Sequence, residues 1–423
     1  MVGHSISSEF IDRENRPAID DHEDDLNAIT LILKRRGVDI DVVIEESSSF
    51  EVAVPSWGFS QGGTRFGRFP IRGEPRDVYE RMEDAAAVNN LSGVTPSISL
   101  HIPWDKPIDP ERLRSCSEEL GLGFDAINSN TFQDQPGQQH SYKYGSLSHT
   151  KHSVRDQAIV HNIECIEIGK QLASKALNIW LADGSSFPGQ IHQRRALDRT
   201  IESLGTIYET LPSDRRMLLE YKPFEPAFYS TIVPDWGTSL MVAQALGPQA
   251  ECLVDLGHHL PNQNIEAVVA RLIHAGRLGG FHFNDAKYAD DDLSAGSIKP
   301  YQLFLIFNEL VDARSDPKVQ NFNPAYMIDQ SHNLKDPIED LIQSSIEIHR
   351  AYTKALLVDR DALGEFQESN DVIMAEQTLK KACETDVSPI LAEVRRRKGA
   401  ALNPLRAYRE SGYRAQMISE RRA

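Results

Sequence analysis

The sequence has few cysteines, no long apolar run and no excess of positive charge. Its cysteines form no CxxC pair and no zinc-finger spacing, so we expect reduced, mostly buried thiols rather than a disulfide framework. These cysteines are Cys116, Cys165, Cys252 and Cys383. No stretch approaches the roughly 20 apolar residues that a membrane span requires, and we expect no membrane partner.

Positive charge is outweighed by negative charge. The 423 residues include 45 Lys and Arg against 62 Asp and Glu, a formal net charge of −17, which would repel nucleic-acid phosphates. We therefore expect no nucleic-acid partner. The first residues, Met1-Val-Gly-His-Ser, show no basic segment followed by an apolar one, so we expect no secretory signal and a cytoplasmic location.

Eight short apolar or alternating runs recur along the chain, and most precede a segment in which apolar residues have helical spacing. The runs are Phe50–Trp57, Ile98–Pro103, Gly123–Asn130, Ala176–Asp183, Met217–Lys222, Glu251–His258, Gly279–Asp285 and Tyr326–Ser331. The helical segments include Asp77–Leu91, Pro110–Leu120, Ser153–Ser174, Asn264–Ala275, Pro300–Val311 and Asp336–Leu357. Eight strand–helix alternations predict an α/β fold, a (β/α)8 TIM barrel. The structural alternative is an open doubly wound sheet.

Segments outside the eight units complete the predicted organisation. Residues 1–49 are an N-terminal helical extension with one helix around Glu23–Arg36, residues 50–358 are the (β/α)8 catalytic barrel, and residues 359–423 are a C-terminal helical arm. The charges of the arm are too mixed for a nucleic-acid arm, and we expect it to serve oligomerisation. The glycine-rich loop Gly58–Arg76 is long enough to be an active-site lid.

The predicted strands end in polar and aromatic side chains, at the end of a barrel where its chemistry takes place. In order, these ends are Trp57; His101 with Trp104; Asn128 with Phe132; Trp180 with Asp183; Glu220 with Lys222; Asp255 with His258; His282 with Asp285; and Asp329 with Ser331. Apolar runs have no structural need to finish so regularly in carboxylates and imidazoles. The pattern therefore predicts an active site.

Carboxylates and imidazoles at the ends of strands five to eight predict metal binding, because these strands are neighbours in a barrel. The candidate ligands of a first divalent ion are Glu220, Asp255, His282 and Asp329. His258, Asp290 and Asp292 could hold a second ion, with Asp255 as the bridge. A site without thiolates favours Mn, Mg or Co over zinc. The alternatives are that a strand-end Asp caps a helix and that Asp290-Asp-Asp292 is a solvated acidic loop.

Other strand-end side chains suit a small polar substrate. Lys222 lies two residues after Glu220, so both should face one side of a strand, where Lys222 could bind a substrate oxygen or neutralise the carboxylates. Ser331 could hold a proton-relaying water, and His101 could act in sugar ring opening. Asp285 could orient an imidazole by a hydrogen bond. An aromatic wall for the C–H faces of a sugar is predicted from Trp57, Trp104, Phe132 and Trp180, each of which could instead be core.

Long motifs resemble the L-rhamnose isomerases of the Pseudomonas type, over nearly the whole chain. These motifs are Val54-Pro-Ser-Trp-Gly58, His101-Ile-Pro-Trp-Asp105, Asn128-Ser-Asn-Thr-Phe132, Tyr142-Lys-Tyr-Gly-Ser-Leu-Ser-His149, Leu253-Val-Asp-Leu-Gly-His-His259, Gly280-Phe-His-Phe-Asn-Asp285 and Met327-Ile-Asp-Gln-Ser-His332. Tyr221 stands where the resemblance leads us to expect a histidine, and the segment Gly189-Gln-Ile-His192-Gln also differs. These departures leave the substrate preference open.

The resemblance implies a homotetrameric xylose-isomerase-like barrel with two divalent ions per subunit, typically Mn2+, with Co2+ or Mg2+ as alternatives. It implies the two ligand sets given above, a hydrogen bond from Lys222 to the open-chain substrate, and closure of the loop that carries Phe66 over the pocket. The implied reaction interconverts L-rhamnose and L-rhamnulose, and related sugars such as D-allose and D-psicose.

The route of hydrogen transfer is predicted from the carboxylates. Every strand-end carboxylate except Asp183 is assigned to a metal or to its support, which favours a metal-assisted hydride shift over proton transfer through a cis-enediol. Within this route we consider Lys222, Ser331, His101 and Asp329 the catalytic residues. The rival is a sugar 3-epimerase, which needs two opposed glutamates where this chain has only Glu220 at a strand end. A non-catalytic sugar-binding protein and a metal-dependent endonuclease on a similar barrel are the more distant rivals.

Overall fold

Parallel strands surrounded by helices make up most of this protein. The structure, a computed structural model, describes residues 6–60, 69–330 and 334–421. Within these ranges the strands are β1 Val54–Pro55, β2 Ser97–Ile102, β3 Gly123–Ser129, β4 Ala176–Trp180, β5 Gly184–Ser185, β6 Arg216–Glu220, β7 Ser230–Thr231, β8 Ala250–Asp255, β9 Leu278–Phe283 and β10 Ala325–Ile328.

The barrel consists of eight parallel strands of the described chain, in the order β1-β2-β3-β4-β6-β8-β9-β10. The barrel closes between β1 and β10, because Ala53, which precedes β1, pairs with Met327 of β10. The amide of Ala53 donates to the carbonyl of Tyr326 at 2.8 Å, and the amide of Ile328 donates to the carbonyl of Ala53 at 2.9 Å. This arrangement confirms the predicted barrel and excludes an open sheet.

Helices cover the outside of the barrel, one after each barrel strand. They are α4 Val78–Ser92, α5 Pro110–Glu119, α6 His152–Gln171, α7 Gln193–Tyr208, α8 Trp236–Leu246, α9 Ile265–His274, α10 Pro300–Ser315 and α11 Pro337–Ala355. Side-chain caps fix several of their first turns: Asp109 accepts from the amide of Arg112, and Asp336 accepts from the amide of Ile338, as Asp-Pro pairs predict. Among the described residues, no helix combines the length and the apolar character needed to cross a membrane.

Three expectations about local structure were wrong. The first strand is two residues long rather than eight, because the chain turns at Ser56–Phe59 into a short 3-10 helix that carries Trp57. Strand β6 ends at Glu220, so Lys222 lies beyond it rather than on it. In the described part of residues 1–49, three α-helices precede the barrel rather than one: α1 Ser8–Asn15, α2 Ile19–Arg35 and α3 Ile40–Ser48.

The C-terminal residues form helices that pack on the chain's own body. These helices are α12 Arg360–Glu368, α13 Val372–Cys383, α14 Ser388–Arg397, α15 Pro404–Ser411 and α16 Tyr413–Glu420. Helix α14 contacts α2 and α3, and α15 contacts α4 and α11. Near the end of the chain, the guanidinium of Arg421 donates to the buried carboxylate of Asp84 in α4 at 2.8 Å.

The inside of the barrel is built in layers along its axis. One layer is apolar and contains Ala53, Ala126, Ala176, Leu218, Leu253, Ala325 and Met327, all buried together. Because side chains two residues apart on a strand face the same side, the next layer toward the strand C-termini holds the residues that follow two positions later. These are Asn128, Asn178, Glu220, Asp255 and Asp329. The period of two thus brings polar residues of five strands into one layer, in which Asp329 is partly exposed and the other four are buried.

Candidate active site

One oxygen of each of three carboxylates faces the Nδ1 atom of His282. The distances from this Nδ1 are 3.2 Å to Glu220 Oε1, 3.5 Å to Asp329 Oδ2 and 3.7 Å to Asp255 Oδ2. Ligand atoms of all four residues lie within 4.8 Å of one another. The structure therefore brings the first predicted ligand set together around one point.

The other oxygen of each carboxylate is held by a neutral donor. Asn178 Nδ2 donates to Glu220 Oε2 at 2.7 Å, and Trp57 Nε1 donates to Asp329 Oδ1 at 2.8 Å. Asp255 Oδ1 accepts from the amide of Gly257 at 2.7 Å and from Asn284 Nδ2 at 2.9 Å. These bonds fix the direction of the remaining oxygens toward the centre of the cluster.

A divalent ion fits this donor set. Asp255 Oδ2 is buried and accepts no hydrogen bond from any described residue, an expensive state for a carboxylate oxygen unless a cation compensates it. Three carboxylates and an imidazole without a thiolate are ligands typical of Mn, Mg or Co. The cluster is therefore a candidate site for one such ion.

A second group shares Asp255 with the first. Ligand atoms of Asp255, His258 and Asp290 lie within 4.8 Å of one another. His258 Nδ1 lies 3.0 Å from the carbonyl oxygen of Tyr221, which leaves Nε2 to face Asp290 Oδ2 at 3.4 Å. Asp292 lines the same cavity and interacts with Asp290 through its side chain. The loop of Asp290-Asp-Asp292 thus contributes to the cavity wall, and the residue shared by both groups is the predicted bridge, Asp255.

Burial and neighbouring charges shift the pKa values of several groups in the cluster. Burial would raise the pKa of Glu220, but His282 and His258 outweigh burial and lower it to about 2. Burial raises the pKa of Asp255 to about 7, opposed by His258 and assisted by Asp290. Burial would lower the pKa of His282, but Glu220 outweighs it and raises that pKa to about 10. Because burial and neighbouring carboxylates oppose the ionised form of Asp255, a divalent cation at this point would stabilise the charged carboxylates.

Lys222 lies one side chain behind the cavity wall. Its Nζ donates to Asp290 Oδ2 at 2.6 Å, lies 3.1 Å from Glu225 Oε2 and sits 4.8 Å from the centre of the Trp180 ring. Burial would lower its pKa, but Asp290 outweighs burial and raises it, so the ammonium stays charged. Lys222 is not on a strand and reaches the cavity wall through its ion pair with Asp290.

Aromatic rings form much of the cavity wall and adjoin the ligand groups, since Trp57 bonds Asp329 and the Trp180 ring lies 6.1 Å from the His258 ring. His101 stacks on Trp104 with ring centres 4.0 Å apart, and Trp57 and Phe132 meet it edge-on at 5.5 and 5.7 Å. Phe132 also contacts Trp180 at 4.4 Å. Burial lowers the pKa of His101 to about 3, so its ring is neutral near pH 7. The predicted wall is therefore assembled, with Asn128, Ser129 and Asn178 completing the cavity.

Two predicted site residues, Phe66 and Ser331, lie outside the described residues. One further expectation was wrong. Asp285 does not orient an imidazole, because it accepts from the amides of Ile298 and Lys299 at 2.7 and 2.8 Å and so anchors the loop before α10. Asp183, the strand-end carboxylate that was left without an assignment, accepts at both of its oxygens from the amides and hydroxyls of Ser146 and Ser148.

Tyr221 and His259 lie together behind the site. The hydroxyl of Tyr221 is 2.8 Å from His259 Nε2, and neither side chain lines the cavity. The substitution of Tyr for the expected histidine at this position therefore makes no contact with the candidate ligand atoms.

Sequence reasoning missed two groups that support the site. Asn178 is a polar residue within the otherwise apolar strand β4, Ala176–Trp180. A polar residue at a strand position of this kind was the sequence feature that could have indicated its role. Asp105 accepts from the amide of His101 at 2.8 Å and from the hydroxyl of Ser56 at 2.5 Å, and it pairs with Arg81. Asp105 thus connects the end of β1 to the end of β2. No local sequence pattern predicts such a contact.

Solved structures with the same architecture show the fold. An L-ribulose 3-epimerase aligns with a TM-score of 0.54 at 15% identity, over 73% of this chain and 98% of that chain. A xylose isomerase domain protein from Alicyclobacillus acidocaldarius aligns with a TM-score of 0.51 at 11% identity, over 73% of this chain and 100% of that chain. No family model matches the chain.

Two relatives are similar along the whole chain. A probable sugar isomerase from Rhizobium meliloti is 56% identical over 418 residues, which are 99% of this chain and 97% of the relative. A probable sugar isomerase from Mesorhizobium japonicum is 54% identical with the same coverage. With this identity, the barrel and its candidate metal ligands, the chain belongs to the family of these probable sugar isomerases and is an isomerase-type enzyme.

Proposed function

We propose that the protein is a metal-dependent aldose–ketose isomerase that interconverts L-rhamnose and L-rhamnulose, and also acts on related sugars such as D-allose and D-psicose. The observation that carries the isomerase chemistry is the pair of ligand groups that share Asp255 and face an aromatic wall. The choice of L-rhamnose is supported by the resemblance of the sequence motifs. We further propose two ions per subunit, most favourably Mn2+, in a cytoplasmic homotetramer.

When bound, the ions would polarise the two neighbouring oxygens of the open-chain sugar and stabilise the charge that develops on them. The first ion would be held by Glu220, Asp255, His282 and Asp329, and the second by Asp255, His258, Asp290 and Asp292. This assignment places the carbonyl end of the sugar beside β6 to β10. The opposite end of the sugar then lies against the aromatic wall, whose rings exclude water and pack on C–H groups.

Lys222 lies behind Asp290 and supplies positive charge to this part of the cavity wall. Its Nζ is held against Asp290, and its raised pKa keeps the proton on it for donation to a substrate oxygen. His101, a neutral ring with a buried Nδ1 that no described residue bonds, is suited to accept or donate a hydrogen bond at the ring oxygen during opening. Both residues bind and orient the sugar.

Hydrogen moves between C1 and C2 within the sugar in the proposed route. Asp183 was the one strand-end carboxylate without an assigned partner, and four donor groups of Ser146 and Ser148 occupy it. Glu220, the glutamate of the described cavity lining, belongs to the ligand cluster. A cavity whose carboxylates are all engaged favours a direct shift over a base-catalysed enediol route.

A 3-epimerase is the second candidate, because a solved L-ribulose 3-epimerase shares the fold. Epimerisation at C3 calls for two opposed carboxylate bases. At the end of β10, Asp329 does not offer a free carboxylate, because its Oδ1 accepts from Trp57 and its Oδ2 faces His282. The geometry therefore favours isomerisation.

The decisive experiment is a substrate and metal panel. Chelated enzyme is given one metal at a time and tested on L-rhamnose, D-allose, D-xylose and the corresponding ketoses, with products separated by chromatography. We expect no activity without metal and aldose–ketose conversion with Mn2+, fastest for L-rhamnose. Conversion of a ketose only into its C3 epimer, or no aldose conversion under any metal, would contradict the proposal.

Deuterated water separates the two routes of hydrogen transfer. A direct shift keeps the migrating hydrogen within the sugar, so the product formed in deuterated water should contain little deuterium at C1 or C2. Extensive incorporation, measured by proton NMR, would instead establish an enediol route.

A further inference from the structure

A second cavity, of about 350 Å3, adjoins the candidate active site. Phe132 lines both cavities, so a single aromatic ring separates them. The second cavity is also lined by Ala182, Pro226 and Ala227 and by polar or aromatic side chains that include Thr131, Gln133, Asp134, Tyr142, Lys143 and Gln190. The proposed isomerisation uses none of these residues.

The second cavity lies at the end of the site where the tail of the sugar is placed. In the eight-strand ring, β3 lies across the barrel from β9, which carries His282. The ligand groups hold the C1–C2 end, so the carbons farthest from it point toward Phe132, which follows β3. A substituent on one of these tail carbons would extend past Phe132 into the second cavity.

The floor of the second cavity is a built element. Strands β5 and β7 pair antiparallel beneath it, with Gly184 opposite Thr231 and Ser185 opposite Ser230. A Cβ atom at Gly184 would lie 2.3 Å from the carbonyl oxygen of Ser230, so the close approach of the two strands requires glycine here. The cavity is therefore preformed rather than a gap between loose loops.

The opposite wall is tied to this floor through Asp183. Its carboxylate accepts from the amide of Ser146 at 2.8 Å and from the amide of Ser148 at 2.9 Å, which holds the segment that includes Gly145 against the end of β4. The carboxylate is fully used by these bonds and by the two hydroxyls, so it organises the wall rather than binding a ligand directly.

The chemistry of the lining suits an uncharged sugar ring. Gln190, an exposed residue of the lining, accepts at Oε1 from the amide of Ser186 at 2.9 Å, and no described residue accepts a hydrogen bond from its Nε2, which leaves this group available as a donor. Phe132 and Tyr142 offer aromatic surface for C–H groups. The lining contains one positive side chain, Lys143, and a negative one, Asp134. It therefore has no excess of positive charge that would attract a phosphate.

We infer that this enzyme accepts aldoses that carry an uncharged glycosyl substituent on a tail carbon, that is, reducing disaccharides, with the second ring bound beyond Phe132. This inference rests on the proposed isomerase function. It names the substrate class of the same site and makes the second cavity a subsite for the non-reducing sugar.

The test compares free and substituted sugars on the metal-loaded enzyme. The substrates are L-rhamnose, D-allose, 4-O-glucosyl-L-rhamnose, 6-O-glucosyl-D-allose and D-allose 6-phosphate. We expect at least one disaccharide to be isomerised with a kcat/KM within about tenfold of its parent, because contacts in the second cavity offset the lost freedom of the second ring. D-allose 6-phosphate is expected to react more slowly than D-allose.

The variant Gln190→Ala separates the subsite from the reaction centre. Loss of one hydrogen bond should lower kcat/KM for the disaccharide by about fivefold, through KM, and leave the parent sugar unchanged. Gln302→Ala, a glutamine at a different surface cavity, is the matched control and should change neither substrate.

The outcomes distinguish the two proposals. If no free aldose is isomerised, the proposed function fails. If free aldoses react and neither disaccharide does, the subsite is refuted while the function stands. An equal loss for both substrates in Gln190→Ala, an unchanged disaccharide rate in that variant, or a preference for the phosphate would also overturn the subsite.

Discussion

At the scale of single residues, the candidate ligands depend on neighbours that cannot bind an ion themselves. Asn178 Nδ2 donates both to Asn128 Oδ1 at 2.8 Å and to Glu220 Oε2 at 2.7 Å. Asn128 in turn donates to the carbonyl of Leu100 at 3.2 Å. This row of amides crosses β2, β3 and β4 and ends on the carboxylate of β6, so it sets the rotamer of Glu220.

We therefore predict that Asn178→Ala weakens metal binding without removing a ligand. Glu220 would lose the donor that directs its Oε1 toward His282, and loss of such a supporting bond costs about 10–100-fold in metal affinity. Calorimetric titration of the chelated variant with Mn2+ measures the effect. Asn162→Ala is the control, because Asn162 is equally buried but bonds only the carbonyl of Ala158 within α6. Equal affinities of Asn178→Ala and wild type would contradict the supporting role.

Individual residues also show what was predictable from the sequence. Glu220, Asp255 and His282 were predicted as a group because each ends an apolar run, and strand ends meet at one face of a barrel. The hydrogen bond from Trp57 to Asp329 was not predicted, because the two residues are 272 positions apart and neither carries a sign of the other. Strand periodicity predicts which way a side chain faces. A hydrogen bond between side chains on different strands of the barrel becomes visible only in the three-dimensional structure.

At the scale of elements, a buried carboxylate fastens the C-terminal helices to the N-terminal ones. Glu393 of α14 lies 3.0 Å from Nε2 of His22 in α2 and accepts from Arg396 at 2.7 Å and Arg397 at 2.8 Å. Hydrogen bonds from these arginines lower the pKa of Glu393 to about 2, against an ordinary value of 4.5. A folded-state pKa below the unfolded one means that the ionised group stabilises the fold.

We predict that Glu393→Gln lowers the free energy of unfolding by about 1–2 kcal/mol at pH 7, discounted for the half-exposed arginines. The difference from wild type should be constant above about pH 5 and shrink as the pH falls from about 4.5 toward 2, because wild type then protonates in the unfolded state first. Urea unfolding at a series of pH values measures it.

The control for this pH profile is an exposed pair of the same kind. Glu118 is paired with Arg114 on α5, with both side chains more than half exposed. Glu118→Gln should change the free energy of unfolding by less than about 0.5 kcal/mol at every pH, because solvent screens such pairs. A Glu393→Gln difference that did not depend on pH would show that the carboxylate acts through packing alone.

Elements differ in how well the sequence predicted them. The six helices named from apolar spacing all occur, within about four residues of their expected ends, because each buries one face on the barrel. The length of the first strand was overestimated, because most residues of the run from Phe50 to Trp57 are apolar and buried although only Val54–Pro55 is a strand. The N-terminal segment has three helices, and two of them, with eight and nine residues, are too short for their periodicity to be recognised.

At the scale of the whole molecule, the fold concentrates like charges in its centre. The barrel was predictable from the eight strand–helix alternations in the sequence. The conformations of the loops that complete the site were not predictable. Asp290 and Asp292 reach the cavity because Asp285 anchors the loop and because Asp292 adopts a φ of 46°, a conformation unusual for a residue other than glycine. The buried cluster therefore opposes folding unless a cation neutralises it.

The last prediction follows from this balance: metal binding stabilises the entire chain. An ion that binds only the folded state adds about 2.7 kcal/mol per site at a free concentration of 100 times Kd, so chelation should lower Tm and Mn2+ should restore it. Asp255→Asn should lose both ions, because both groups use that carboxylate, and its Tm should no longer respond to Mn2+. Glu393→Gln, which lies far from the cluster in the C-terminal helices, should start from a lower Tm and show the full response to Mn2+. Differential scanning calorimetry with metal analysis of the dialysed proteins measures both quantities, and retention of one ion by Asp255→Asn would refute the bridge between the two sites.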